Sequence, residues 1–427
     1  MLRRLSKDEV RLGMYIHRLE GGWLDHPFWR NQFLLDDPAD LAAIRESGLS
    51  GVVVDDERGR AAMPSRLAAI RALCDAEAPA PVVEEVPPPV APPPKPAPRP
   101  TPTIIRPVER CTTVQEIGRA QETIDRSKRT VSDLLRQARL GKAVEIAKTM
   151  PVVEDIAASV DRNPHALVSI SRMRDKDEYT YLHSIAVCAL MVNLGRQLGL
   201  EADAVREAGL AGLLHDFGKV AVPESLLKKP DSLTDKELTL VREHALRGHQ
   251  LIRATGAYSD TVADVALHHH ERIDGSGYPH GLKGQAISRT ARMAAVCDVY
   301  DAITSQRPYR KPSGPAESLS NMFRSNGQFD DQVLAGFVRS VGVYPVGTLV
   351  RLESERLALV IDQGRGDTLR PLVRAFYCIR SRARIAAHDI DLARADAGEG
   401  IVSREEPRKW GFANWETHWT ALIRGKA

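Results

Sequence analysis

Cysteine is scarce in this sequence and never paired in a way that would suggest a staple. Cys74, Cys111, Cys188, Cys297 and Cys378 are odd in number and none forms a Cys-x-x-Cys. That excludes a disulfide framework and a zinc ribbon, and fits a reducing cytoplasm. Cys188 and Cys297 lie in apolar helical runs, where a free thiol behaves as a small hydrophobe. Long apolar runs are missing as well: none approaches the roughly 18 residues of a membrane span. The opening Met1-Leu-Arg-Arg has basic residues but no apolar core behind them, so it does not read as a signal peptide. Nor is there an excess of one charge. Lys and Arg total 59 against 56 Asp and Glu, which gives no ground for a nucleic-acid surface. What remains, 43% hydrophobic and 27% charged over 427 residues, is an ordinary composition with room for two or three domains.

Texture changes along the chain mark candidate domains. Residues 1–77 read as a small α+β unit. Gly13–Leu19 and Gly51–Asp55 have strand character, and Asp36-Asp37-Pro38 offers a cap and first-turn proline for a helix to about Ser47. Its aromatic group, Trp23, Phe28, Trp29 and Phe33, fits a small core or a ligand surface. Residues 78–107 are proline-rich and aperiodic, as expected of a semi-rigid linker. Residues 108–141 carry a helical seam through Val114, Ile117, Ile124, Val131, Leu135 and Ala138. That suits a connecting helix or a homodimer helix. Residues 142–345 are helical in period almost throughout, with helices expected near 152–161, 164–174, 178–198, 201–214, 234–254, 258–270, 286–304, 315–325 and 330–341. The fold class is therefore mostly α, a multi-helix bundle. Residues 346–427 switch to a small β-rich appendage, with strands at 349–352, 357–361 and 372–377 and a tail of Trp410, Phe412, Trp415 and Trp419 expected to pack.

Within the helical region, polar residues recur where apolar ones are expected. His183 sits in a greasy helix, and His215-Asp216 close the apolar run 207–214. His244 lies inside apolar spacing, His268-His269-His270 end another helix, and Asp298 interrupts Met293–Ile303. Singly, each could be a satisfied core histidine or a helix-end cap. Together they put imidazoles and carboxylates on inward faces of several helices, which a core tolerates only around an ion. This donor mix suits Fe, Mn, Ni or Zn rather than Ca. It exceeds the needs of one ion, so two divalent metals sharing a carboxylate are expected.

The motifs His215-Asp216-x-Gly218-Lys219, His269-His270-Glu271-x-x-Asp274-Gly275-x-Gly277-Tyr278-Pro279 and Asp298-x-x-Asp301 through Arg307-Pro308-Tyr309-Arg310 resemble the signature of the HD-GYP family, a branch of the HD metal-dependent phosphohydrolases. The resemblance covers roughly 145–345. The first 77 residues, with Trp23–Trp29, resemble a domain of unknown function often found upstream of it.

The resemblance implies an HD-type bundle that hydrolyses cyclic di-GMP to pGpG, and often on to GMP, by attack of a metal-bridging hydroxide. It implies one metal on His183, His215, Asp216 and Asp298, and another on Asp216, His244, His269 and His270. Iron or manganese is expected first, with nickel or zinc as alternatives. His268 would lie outside both sets and His249 on the surface. Lys219 would meet phosphoryl charge. Arg307 and Arg310 would grip the other phosphate, and the loop of Asp274, Gly277 and Tyr278 would border substrate and dock diguanylate cyclase domains. A Glu found in some members one turn before the first histidine is here Tyr179, which favours two metals over three; Asp177 is a candidate to face substrate. Alternatives are a catalytically silent receptor or adaptor, and a hydrolase of another cyclic dinucleotide.

Overall fold

The structure, a computed structural model, describes residues 2–20, 33–35, 38–47, 51–55, 109–139, 148–172, 179–227, 229, 233–305, 314–325, 327–363, 368–394, 396–412 and 415–423. The aromatic residues Trp23, Phe28 and Trp29, the proline-rich stretch, Asp177, Glu178, Arg307 and Arg310 lie outside them.

Near the N-terminus, strands β1 (Leu2–Leu5) and β2 (Tyr15–Glu20) are followed by β3 (Phe33–Leu34), helix α1 (Pro38–Glu46) and β4 (Gly51–Asp55). The strands form an antiparallel sheet in the order β1-β4-β2-β3. Its small core is Val10, Ile16, Leu35, Ile44, Val52 and Val54. The expected strands and helix are present; β1, too polar on its exposed side to read as a strand, was not anticipated.

The helical body opens with α2 (Thr113–Arg139), α3 (Thr149–Arg162) and α4 (Ala166–Ser171). It continues through α5 (Tyr179–Gln197), α6 (Ala202–Leu214), a 3-10 turn at Phe217–Ala221 and the short α7 (Glu224–Leu227). Then come α8 (Asp235–Arg242), α9 (His244–Thr255), α10 (Asp260–His268), α11 (Arg289–Thr304), α12 (Pro315–Arg324) and α13 (Asp331–Val341). The starts are chemically marked. Thr234 and Glu237 form a capping box on α8, and Ser259, Ser288 and Asp330 cap α10, α11 and α13. Helix α5 is the axis of the bundle: Leu182 through Val192 is buried without interruption. Such a helix, apolar all round, is stable only when neighbours cover every face.

Two expectations need correction. The single helix anticipated at 234–254 is broken at Glu243, so that α8 is exposed and α9 opens on buried His244. The break has a use, because the Nδ1–H of His244 donates to the carbonyl of Val241 at the end of α8, 2.7 Å away. The seam helix α2 is more than a connector. Ile117, Ala120, Ile124, Val131 and Leu134 belong to the same hydrophobic core as α5 and α6. On its exposed side Arg126 pairs with Asp155 of α3 at 3.3 Å.

The C-terminal strands are β5 (Leu349–Leu352), β6 (Arg356–Asp362), β7 (Leu372–Cys378), β8 (Ala383–Asp391) and β9 (Ile401–Arg404). They form one antiparallel sheet in the order β8-β7-β6-β5-β9, closed by helix α14 (Trp415–Ile423). Strands β8 and β9 went unread because their alternating apolar residues are few. The sheet is no loose appendage. Leu349, Leu357, Leu359, Ile361 and Phe376 share the helical core, while Val350, Leu352, Ala358, Val360 and Val373 fill a second core on the opposite face. This is the period-two alternation of a sheet covered on both sides. Of the aromatic tail, Trp419 is buried and Trp415 donates its indole N–H to the Gly347 carbonyl.

One buried ion pair ties α2 to α3. The Glu116 carboxylate accepts from Arg162 Nη2 at 2.7 Å, Arg162 Nε at 2.9 Å and Ser159 Oγ at 3.0 Å. Glu116→Ala should lower unfolding free energy by about 2 kcal/mol in a urea titration. That is less than the ~3–5 kcal/mol of a fully buried pair, because Arg162 keeps 22% of its side chain exposed. An unchanged midpoint would contradict this role.

Candidate metal centre

His215 is the last residue held by α6. Its Nδ1–H donates to the Gly212 carbonyl at 2.8 Å, and the chain then turns through Asp216 into the 3-10 segment. That turn sits directly on the start of α9. A Cβ added at Gly218 would lie 1.9 Å from the His244 carbonyl oxygen and 2.4 Å from the Gly248 nitrogen. Only glycine permits so close a backbone approach, and it brings Asp216 and His244 together.

The other histidines are anchored in the same way. His269 Nδ1 donates to the Val265 carbonyl at 3.0 Å, as His244 does to Val241. Fixing the proton on Nδ1 leaves Nε2 as a lone pair. Those lone pairs converge. His244 Nε2 is 3.4 Å from His269 Nε2 and 3.2 Å from His270 Nε2, while His215 Nε2 is 3.3 Å from His183 Nε2. Neutral imidazoles so placed repel one another unless a proton or a cation lies between them. The spacing is that of neighbouring ligands at ~2.1 Å from a common ion.

Asp216 stands between the two groups and offers one oxygen to each. Oδ2 is 3.3 Å from His215 Nε2 and 3.6 Å from His183 Nε2. Oδ1 is 3.3 Å from His244 Nε2 and 3.8 Å from His269 Nε2. Oδ1 is buried and has no hydrogen-bond partner in the structure, although a buried carboxylate oxygen normally has one. The orphaned oxygen and the converging lone pairs fit divalent metal ions. Asp216, His244, His269 and His270 form one group that could hold an ion, and His183, His215 and Asp216 another. Asp298 borders both, with Oδ1 3.1 Å from His183 Nε2 and Oδ2 3.8 Å from His270 Nδ1.

The protonation states follow from the surroundings. Burial, reinforced by the neighbouring imidazoles, pushes His269 down to about 3 and His270 well below its ordinary value, and burial also lowers His244. All three are thus neutral donors. His183 is the exception. Burial opposes its charge, but Asp298 and Asp301 outweigh it and push the imidazole up to about 9. Asp216 and Asp298 are held well below the carboxylate range against the cost of burial, Asp216 by Lys219 and His215 and Asp298 by His183.

Asp301, quoted in the motif but given no role there, accepts from His183 Nδ1 at 2.7 Å and from Ser305 Oγ at 3.0 Å. Its separation of three residues from Asp298 on α11, one helical face, was the available signal. Glu271 also went unread. Its buried carboxylate accepts from the backbone N–H groups of His280, Gly281 and Leu282, which holds the loop carrying Tyr278. That loop is packed as tightly as the 3-10 turn: a Cβ at Gly277 would lie 2.4 Å from the Glu271 Cα. Tyr278 stacks on His270 at 4.6 Å, with Arg242 over its ring. Asp274 faces outward, and its Oδ1 accepts from the Ser276 N–H and hydroxyl. Lys219 turns back on Asp216, with Nζ 2.5 Å from Oδ2. His268 pairs with Asp264 and His280, apart from the centre. His249 is half-buried rather than plain surface, and its Nδ1–H donates to the Ala263 carbonyl.

Residues 151–333 match the HD domain, and residues 2–149 match a domain of unknown function, DUF3391. A cyclic di-GMP phosphodiesterase of Pseudomonas aeruginosa, PA4108, is 46% identical over 99% of this chain and 97% of its own length. The chain belongs to the HD-GYP branch of the HD domain family. Other relatives align over less. The cyclic di-GMP phosphodiesterase response regulator RpfG of Xanthomonas campestris is 34% identical over 49% of the chain and 55% of its own length. A 3′3′-cGAMP-specific phosphodiesterase of Vibrio cholerae is 37% identical over 40% and 39%. No helix among the described residues is long and apolar enough to cross a membrane.

Two substitutions probe how this HD-GYP centre is built. Gly218→Ala should push the 3-10 turn off α9, lowering stability by about 2–3 kcal/mol and metal content measured by elemental analysis. Full loading would contradict the packing argument. Asp301→Asn removes the charged partner of His183 and should weaken metal binding by roughly 10–100-fold in a chelator competition. An unchanged affinity would deny Asp301 its orienting role.

Proposed function

We propose that this chain is a metal-dependent phosphodiesterase that opens cyclic di-GMP to linear pGpG and on to GMP. The observation that carries the reading is Asp216, one buried carboxylate presenting an oxygen to each of two sets of imidazole lone pairs. With Asp216, the first set, His183, His215 and Asp298, would hold one ion, and the second, His244, His269 and His270, the other. Iron(II) or manganese(II) suits the nitrogen and carboxylate donors, with nickel or zinc as substitutes. When bound, the ions supply Lewis acidity toward the phosphoryl oxygens and a water whose pKa lies near neutrality.

The chain's own groups set the rest. Carbonyl acceptors on Nδ1 keep His215, His244 and His269 in one tautomer and one orientation. Asp301 does the same for His183. Lys219, already at the centre through Asp216, places a positive charge where phosphoryl oxygens gain negative charge as the 3′ oxygen departs. Tyr278, stacked on His270 with Arg242 over its ring, borders the place of a base or sugar, and Asp274 and Gly277 shape the same loop. Arg307 and Arg310 take the second phosphate. We assign residues 1–77 to a regulatory unit, 78–107 to a linker, 108–141 to a connecting helix, 142–345 to the catalytic body and 346–427 to a β-rich extension. Diguanylate cyclase domains that dock on the Tyr278 loop and a second copy of the chain are the proposed protein partners.

The test uses full-length protein purified without oxygen and loaded with Fe(II) or Mn(II), and a panel of cyclic di-GMP, 3′3′-cGAMP and cyclic di-AMP. Cyclic di-GMP should be converted fastest, with pGpG appearing before GMP. Asp216→Ala should lower the rate by more than about 100-fold. Equal rates for wild type and Asp216→Ala would refute the reading, and a preference for 3′3′-cGAMP would move the substrate to the other cyclic dinucleotide.

A further inference from the structure

A cleft of about 650 Å³ runs from the metal centre to the side of the bundle covered by α2. Asp216 and Lys219 line it together with Leu135 and Arg139 of α2 and Glu224 and Leu227 of α7. Its size is that of a small-ligand site, ~300–1,000 Å³. Thus α2, which precedes the residues matched to the HD domain, helps to form the wall of a cleft that reaches the reacting end.

At the α2 end two opposite charges face each other. Arg139 Nη1 is 3.6 Å from Glu224 Oε2, with the side chains 43% and 55% exposed. That is too long for a hydrogen bond, and exposed pairs of this kind contribute little to stability, so an inserted ligand can replace it at small cost. The pair presents a guanidinium fork and a carboxylate beside apolar walls. Guanine matches that array. Its O6 and N7 accept from an arginine fork, and its N1–H and N2–H groups donate to a carboxylate. Adenine presents a donor at the position of O6 and lacks the N2 amine, so it would set donor against donor.

We propose that this end of the cleft is a guanine subsite, in which Arg139 reads O6 and N7, Glu224 reads the N1–H and N2–H edge, and Leu135 and Leu227 flank the ring. The inference rests on the phosphodiesterase reading, and gives the helix leading into the catalytic body a part in choosing the substrate. A site built on hydrogen bonds rejects an analogue that leaves its polar groups unpaired.

The experiment compares kcat/KM for cyclic di-GMP and cyclic di-AMP in Mn(II)-loaded full-length wild type, Arg139→Ala and Glu224→Gln. In each variant kcat/KM for cyclic di-GMP should fall about 10–100-fold, mainly through KM, and the guanine preference should shrink. If the two residues serve only to hold each other, both substrates lose in equal proportion and the preference stands; that result overturns the subsite, as does an unaltered KM. A wild type that hydrolyses neither dinucleotide overturns the phosphodiesterase reading instead. Calorimetric binding of the same two dinucleotides to the three proteins then decides for the subsite: a guanine preference lost in both variants supports it, and unchanged affinities overturn it.

Discussion

The crowding of imidazole lone pairs around Asp216 is the constraint on which the rest of this structure depends. Neutral imidazole nitrogens 3.2–3.4 Å apart in a buried space are unfavourable without a proton or a cation between them, and so is a buried carboxylate oxygen without a donor. Neither can relax by turning, because carbonyls at helix ends grip the opposite nitrogens of three of the rings. The arrangement therefore stores a demand for positive charge. Lys219 answers part of it at Asp216 Oδ2, and the rest suits divalent ions.

Holding that geometry requires a stiff surround. The converging side chains come from the ends of α6 and α10, the start of α9 and the interiors of α5 and α11, so a small shift of any one would spread them. Stiffness comes from α5, buried over eleven consecutive residues from Leu182 to Val192, and from Gly218, where two backbones meet with no room for a side chain. The C-terminal sheet adds its face to the same core, so the far end of the chain also supports the centre. Toward α2 the packing opens into the cleft, which gives a rigid centre an approach from one side.

Much of this was legible in the chain. His183, His215, Asp216, His244, the run His268 to His270 and Asp298 stood out because they interrupt or end apolar helical patterns, a signal independent of tertiary contacts, and the family motif singled out His269 and His270 within the run. Helix positions followed from period, caps and glycine stops, since these are local. The misses share a cause in contacts between distant residues. Asp301 and Glu271 act through His183 and through the backbone of 280–282, and look in sequence like any acidic residue in a helix or loop. The break at Glu243 depends on the 3-10 turn packed against α9. Strands β8 and β9 are mostly exposed, so their alternation is faint until a partner strand is known.

The sequence by itself determined which donors exist, that they are imidazoles and carboxylates without thiolate, and that the helices bearing them would bury them. Those properties belong to residue type and period. Only the tertiary structure decided that Asp216 gives one oxygen to each group, that Nδ1 is the protonated nitrogen of three of the imidazoles, and that Lys219 folds back on the carboxylate. It also decided that α2 helps to wall the cleft. Each of these depends on distances between segments far apart in the chain, and such distances are fixed only when the apolar faces have packed.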